Sequence, residues 1–275
     1  MPMLERIASP CGVVTWRSPM LASAGFLHGF STRRGGVSPA PFDSMNLGIA
    51  QAPGAPDTEE NVAENASRLM RAIGAPDSAM VRVRQVHGCA VVDCRAGDRG
   101  VLAGREADAL VSAAPSVAPC VRTADCVPVL VGCARSGAVA AIHAGWRGIV
   151  AGVVGRAVDA MVRDHGADPG ELVAAIGPCI GRDVYEVGPE VAAEFAAAVG
   201  PAFVLPPGGP RAKEHIDCHG AVRAQLAACG IPPRSIDGEE LCTVVNGGDF
   251  FSYRRDGARS GRMAAVIVPR AAPGA

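Results

Sequence analysis

Three side chains able to bind a metal or to act as nucleophile and base stand in separate segments. His87 lies in Val83-Arg-Gln-Val-His87-Gly88, Cys126 in Arg122-Thr-Ala-Asp-Cys126-Val-Pro-Val-Leu-Val131, and His143 in Ala140-Ala-Ile-His143-Ala-Gly-Trp-Arg-Gly148. Each adjoins an apolar run and a glycine or polar turn, the setting of a strand end. One thiolate and two imidazoles make a three-ligand zinc site with its fourth position open, the catalytic form of such a site. Cys126 and His143 also suit a thiolate–imidazolium hydrolase pair. A metal-bound thiolate is quenched as a nucleophile, so the two readings exclude each other while metal is bound.

The nearest carboxylates in the pattern are Asp125 and Asp108. Either can accept the second N–H of a ligating imidazole or serve as general base. Their plain role is that of strand-end acids satisfied by backbone amides. Gly145-Trp146-Arg147-Gly148 marks a passage from strand to helix, where free N–H groups and Arg147 attract an anion. The alternative is a tight turn with Trp146 packed as core. Arg33 and Arg34 beside Gly35 and Gly36 form a second anion-contact loop, or a solvated turn.

Period-two or continuous apolar runs place the strands that position these groups. They fall at 13–16 (as an edge), 26–30, 80–86, 90–94, 107–112, 117–121, 126–133, 137–143, 172–176, 240–245 and 263–268. Apolar stripes at helical spacing predict helices over 57–73, 149–163, 189–199 and 218–229, the first capped by Asp57 with Glu60. Residues 97–104 read as a polar loop and 271–275 as a tail. Strands outnumber helices and do not alternate simply with them. That pattern predicts an α/β fold of mixed sheets with outer helices, and argues against a strict Rossmann repeat. With no internal repeat or linker, residues 1–275 read as a single catalytic domain.

Composition narrows the function classes. A net charge of −1 provides no basic field for nucleic acid or an anionic membrane, and 4% aromatic residues provide no stacking surface. No uninterrupted apolar stretch is long enough to span a bilayer. The start, Met1-Pro-Met-Leu-Glu-Arg6, has no signal-peptide pattern, and the ten cysteines are scattered without a CxxC pair. The expectation is a cytoplasmic protein with reduced thiols. Six histidines, few of them clustered, are a poor supply for a multicopper oxidase.

The motifs, taken in order, resemble one family. Ser31-Thr-Arg-x-Gly-Gly36, Asn46-Leu-Gly48, Gln85-Val-His-Gly88, Ala107-Asp-Ala109, Thr123-Ala-Asp-Cys-x-Pro-Val129, His143-Ala-Gly-Trp-Arg-Gly148, Ile176-Gly-Pro178, Tyr185-Glu-Val-Gly188, Cys242-Thr243 and Phe251-Ser-Tyr-Arg-Arg-Asp256 are similar to those of the YfiH-like, or laccase-domain, family. The resemblance implies a layered α/β/β/α fold and zinc, with copper as an alternative, on His87, Cys126 and His143. It implies phosphorolysis of adenosine, inosine and methylthioadenosine, and deamination of adenosine, with the nucleoside and phosphate as the small-molecule partners. It carries catalytic roles to Cys126, His143, Asp125 and Asp108, and substrate contacts to Arg33, Asn46, Gln85, Arg147, Tyr253 and Arg254. Editing of peptidoglycan precursors and copper-dependent polyphenol oxidation are the family's other associated activities.

Overall fold

The computed structural model describes residues 3–48, 57–209 and 211–271. The tail beyond Ala271 lies outside the described residues. The strands are β1 (Glu5–Ala8), β2 (Val14–Arg17), β3 (His28–Ser31), β4 (Ala79–Arg84), β5 (Val91–Asp93), β6 (Gly100–Glu106), β7 (Ala109–Ser112), β8 (Val117–Thr123), β9 (Val127–Cys133), β10 (Val139–Ala144), β11 (Leu172–Ile176), β12 (Val204–Leu205), β13 (His215–Ile216), β14 (Ile236–Asp237) and β15 (Met263–Ile267). The helices are α1 (Pro19–Ser23), α2 (Glu59–Ile73), α3 (Trp146–Val150), α4 (Val153–His165), α5 (Pro189–Val199), α6 (Cys218–Ala228) and α7 (Tyr253–Asp256).

Two mixed sheets stack face to face. One has seven strands in the order β1-β2-β3-β15-β8-β4-β6, the other six in the order β14-β11-β9-β10-β7-β5. Strand periodicity divides their side chains between layers. Phe30, Val81, Val121, Leu130 and Ala141 meet between the sheets. Val129, Val131, Ala140 and Ile142 turn the other way, onto Val154, Ala157, Val158, Phe195 and Leu226 of the helices. On the far side Leu69, Met70 and Ile73 of α2 cover Ala118, Cys120, Ala264 and Val266. The layering is therefore α/β/β/α, as the family resemblance implies.

Several local expectations are corrected. The 13–16 strand is not an edge, because β1 pairs antiparallel with β2. Thr58, not Asp57, caps α2, its side chain accepting from Asn61 N. Asp57 instead accepts from Ser38 Oγ, Asn46 Nδ2 and Asn61 Nδ2, tying the 38–46 loop to the helix start. The 149–163 helix is broken into α3 and α4 at Gly152, whose φ of 78° takes the chain out of the right-handed helix. The 97–104 loop contains most of β6, which pairs parallel with β4 at the sheet edge; an exposed edge tolerates a polar strand. Residues 240–245 form no strand. Their only ladder contact is the bridge Cys179↔Cys242, and their backbone holds the loop after β11 instead (Cys179 N donates to Leu241 O, Thr243 N to Cys179 O).

Candidate metal centre and its cleft

The two sheets bring the three candidate ligands together from separate connections. His143 has the parity of Val139 and Ala141 on β10, so it points between the sheets, at the end of the strand. Cys126 stands in the turn between β8 and β9, and His87 in the turn after β4. The ligand atoms of His87, Cys126 and His143 all lie within 4.8 Å of one another. The two imidazoles meet edge to face, 4.9 Å between centroids.

Asp108 builds this arrangement. It is fully buried, and both its oxygens are engaged. Oδ1 accepts from His87 N (2.9 Å) and His143 Nδ1 (2.8 Å), while Oδ2 accepts from Val86 N (3.2 Å) and Gly88 N (2.7 Å). Three successive amides thus wrap one carboxylate. Charge-assisted bonds of this kind offset the cost of holding His87 at φ 60°, a conformation that non-glycine residues rarely adopt. Burial pushes the Asp108 carboxyl up, but the bond from His143 and the amide of Gly88 outweigh it and hold it below its ordinary value. With Nδ1 donating to Asp108, His143 presents its Nε2 lone pair to Cys126 and His87, the tautomer a metal ligand requires.

Without metal the thiol and imidazole polarise each other. Burial pushes the Cys126 thiol up, yet the charge on His143 and the bonding from both imidazoles bring it down to about 6. Burial lowers the His143 ring, and Cys126 and Asp108 raise it to about 9. Both shifts favour the thiolate–imidazolium form of the metal-free pair. A metal fits the same atoms on a second observation. A Cβ at Gly145 would lie 2.9 Å from His87 Cδ2 and 3.2 Å from Cys126 Sγ, so the glycine keeps open the room against these ligands. The donor set of two imidazole nitrogens and one thiolate suits zinc.

The centre opens on a cleft of about 670 Å³ lined by Arg122, Arg147, Arg254 and Arg262, with Asp125 its one acidic wall residue. Asp125 is held at φ 91°. It accepts from Thr243 Oγ1 and from Arg254 N, both at 2.6 Å, and its carbonyl accepts from Ile180 N. The charge balance of the wall is strongly positive, which favours an anionic ligand.

The residues expected to contact substrate divide. Gln85, Arg147, Tyr253 and Arg254 line the cleft. Both amide atoms of Gln85 are spent on the backbone of Arg122. Arg147 lies over Trp146, 4.4 Å from the ring centroid, and has no ion pair among the described residues. Arg254 stacks on Tyr185 and donates to Glu186 O. Arg33 and Asn46 are not on the wall. Arg33 donates to Asp43 and to Gly247 O and lies over Phe251. Asn46 is fully buried, its amide fixing Gly48 and the backbone N of Arg262. Arg34 pairs with Asp249. Arg122 and Arg262 carry no role in the sequence reading. Their signal was an arginine placed beside otherwise apolar strands.

Residues 27–270 match the family model described as multi-copper polyphenol oxidoreductase laccase. The chain belongs to this family. As a laccase-domain protein it is 40% identical to a purine nucleoside phosphorylase of Deinococcus radiodurans, over 94% of each chain. Its laccase-domain fold matches the crystal structure of YlmD from Geobacillus stearothermophilus (TM-score 0.84, 30% identity, 98% of this chain and 100% of that one). It also matches YfiH of Bacillus licheniformis (TM-score 0.81, 26% identity, 96% and 99%). Among the described residues the only group of three metal-capable side chains is His87, Cys126 and His143. No helix among them is long and apolar enough to cross a membrane.

Proposed function

We infer that this chain is a zinc-dependent purine nucleoside enzyme, which phosphorolyses adenosine, inosine and methylthioadenosine and deaminates adenosine. The carrying observation is a three-donor metal centre opening directly onto a cationic cleft with room for a nucleoside and a phosphate. The relative of Deinococcus radiodurans, named for purine nucleoside phosphorylase activity, supports the same reading.

His87, Cys126 and His143 would hold the metal, and bound zinc supplies Lewis-acid chemistry, including a lowered pKa for water at its open position. The chain's own groups do the rest. Asp108 acts as a positioning residue: with four N–H groups on its two oxygens it has little capacity left for a travelling proton. Asp125 reaches the cleft wall and is the carboxylate placed to move a proton in deamination, where water replaces the purine amino group and ammonia leaves. In phosphorolysis a phosphate oxygen bonds to the ribose anomeric carbon as the bond to the purine nitrogen breaks. The hydrogen of hydrogen phosphate passes to the departing purine, leaving ribose 1-phosphate. The arginines of the wall hold the phosphate charge, and Tyr253, 54% exposed at the mouth, offers a face to the base.

The test is His143→Ala. Loss of stoichiometric zinc together with loss of adenosine turnover is expected. Retention of both refutes the assignment. A protein that binds zinc and is inert on nucleosides would instead direct attention to peptidoglycan precursors.

A further inference from the structure

Three arginines gather on one face of the seven-stranded sheet, and the carboxylate that shares their cleft, Asp125, is held by Thr243 Oγ1 and Arg254 N and pairs with none of them. Arg122 has the parity of Ala118 and Cys120 on β8, Arg82 stands on the adjacent β4, and Arg262 immediately precedes β15 on the other side. None of the three forms an ion pair among the described residues. The Nε atoms of Arg82 and Arg122 are buried without a hydrogen-bond partner. Arg122 donates no side-chain hydrogen bond at all among the described residues, although its guanidinium carries five N–H groups. Arg262 spends only Nη1, on the neighbouring carbonyls of Ser260 and Gly261.

Like charges confined in this way destabilise one another and leave donors desolvated unless an anion completes them. The surroundings keep the space for one. Arg122 and Arg262 face the cleft, and Gly48 lies on the same wall. A Cβ at Gly48 would fall 2.6 Å from Arg262 Cγ and 3.8 Å from Arg122 Nη1. Asn46 fixes Gly48 and the backbone of Arg262 from behind. The Asn46-Leu-Gly48 motif thus serves to set these guanidiniums, and Asn46 need not touch substrate.

We propose that Arg122 and Arg262 form the phosphate-binding subsite of this cleft, seating a phosphate oxyanion against the Gly48 wall, with Arg82 behind them adding charge. The proposal deepens the phosphorolysis reading and rests on it for the ligand's role, though not for its chemistry. Free phosphate and the phosphate of a nucleoside 5′-monophosphate share that chemistry.

The experiment is calorimetric titration of the zinc-loaded full chain with inorganic phosphate, and separately with adenosine 5′-monophosphate, alongside the phosphate KM for adenosine cleavage. Arg122→Gln and Arg262→Gln are each expected to weaken phosphate binding and raise the phosphate KM by about 10- to 100-fold, the effect of losing a charged donor. Arg163→Gln, an exposed change on α4 away from the cleft, is expected to change both less than threefold. Arg122→Lys, which keeps the charge and the fold but not the planar fork, is expected to weaken phosphate several-fold. Tighter monophosphate binding that is lost in the same variants assigns the subsite to an esterified phosphate. Phosphorolysis with an unchanged phosphate KM in Arg122→Gln, Arg262→Gln and Arg122→Lys overturns the subsite and leaves the activity standing. Phosphate binding lost in those variants, in a protein that cleaves no nucleoside, supports the subsite and sinks the activity.

Discussion

Asp108→Asn is the smallest change that separates the scaffold of the metal centre from its ligands. The carboxylate accepts two N–H groups on each oxygen. An amide has one oxygen, so whichever way it is turned its NH2 faces two donors. Facing Val86 N and Gly88 N, it unravels the turn that presents His87. Facing His87 N and His143 Nδ1, it forces the imidazole proton to Nε2, the atom needed for the metal. Two backbone donors lose their acceptor in the first orientation and one in the second, at about 1–3 kcal/mol each, so the fold should lose about 1–6 kcal/mol. Metal affinity should fall about 10- to 100-fold, the usual effect of removing the partner of a ligating histidine. Chemical denaturation of the metal-free protein reads the first, and competition with a chromogenic zinc chelator reads the second. A variant whose zinc affinity is within twofold of the parent, with the same denaturation midpoint, would show that Asp108 does not position the ligands.

Three further outcomes are expected. His28 is buried, its Nδ1 toward Phe26 O and its Nε2 accepting from Ser18 N, so protonation breaks a bond; burial holds its ring down at about 4, against an ordinary 6.5. Its contribution, about 3 kcal/mol, is full above pH 6.5 and is lost as pH falls from there through about 4, and an NMR titration placing His28 near 6.5 would contradict this. In metal-free protein near neutral pH, iodoacetamide should label Cys126 and the exposed Cys11 ahead of Cys94, Cys120, Cys179, Cys218 and Cys229, whose thiols burial pushes up; zinc should protect Cys126 alone, as peptide mapping would show. Gly145→Ala should retain the circular dichroism of the parent and lose at least tenfold in zinc affinity, because its methyl meets His87 and Cys126; an unchanged affinity in a chelator assay would count against the geometry.

Much of this was legible in the sequence because the deciding elements are simple. Buried strands such as Leu172–Ile176 announce themselves as apolar runs, and the motifs around His87, Cys126 and His143 lie where those runs end. What escaped depends on long-range partners. Asp57 reads as a cap because it precedes a helix, but Ser38 and Asn46, distant in sequence, claim its carboxylate. Arg33 sits in a glycine-rich loop and reads as an anion contact, while Asp43 and Phe251 hold it elsewhere. The separation of Asp108 from Asp125 in role rests on which amides surround each, and spacing does not encode that. Arg122 and Arg262 become neighbours only through the pairing of β8 with β15.

Nucleoside turnover is expected to depend on a metal held by His87, Cys126 and His143. Metal-stripped protein should be incubated with adenosine and phosphate, with and without one equivalent of zinc, and the products separated by chromatography. Adenine with ribose 1-phosphate, and inosine or hypoxanthine, should form only with zinc, and should be absent in Cys126→Ala at the same zinc level. Equal product in the stripped and zinc-loaded samples, or in Cys126→Ala, would show that turnover does not need this metal centre.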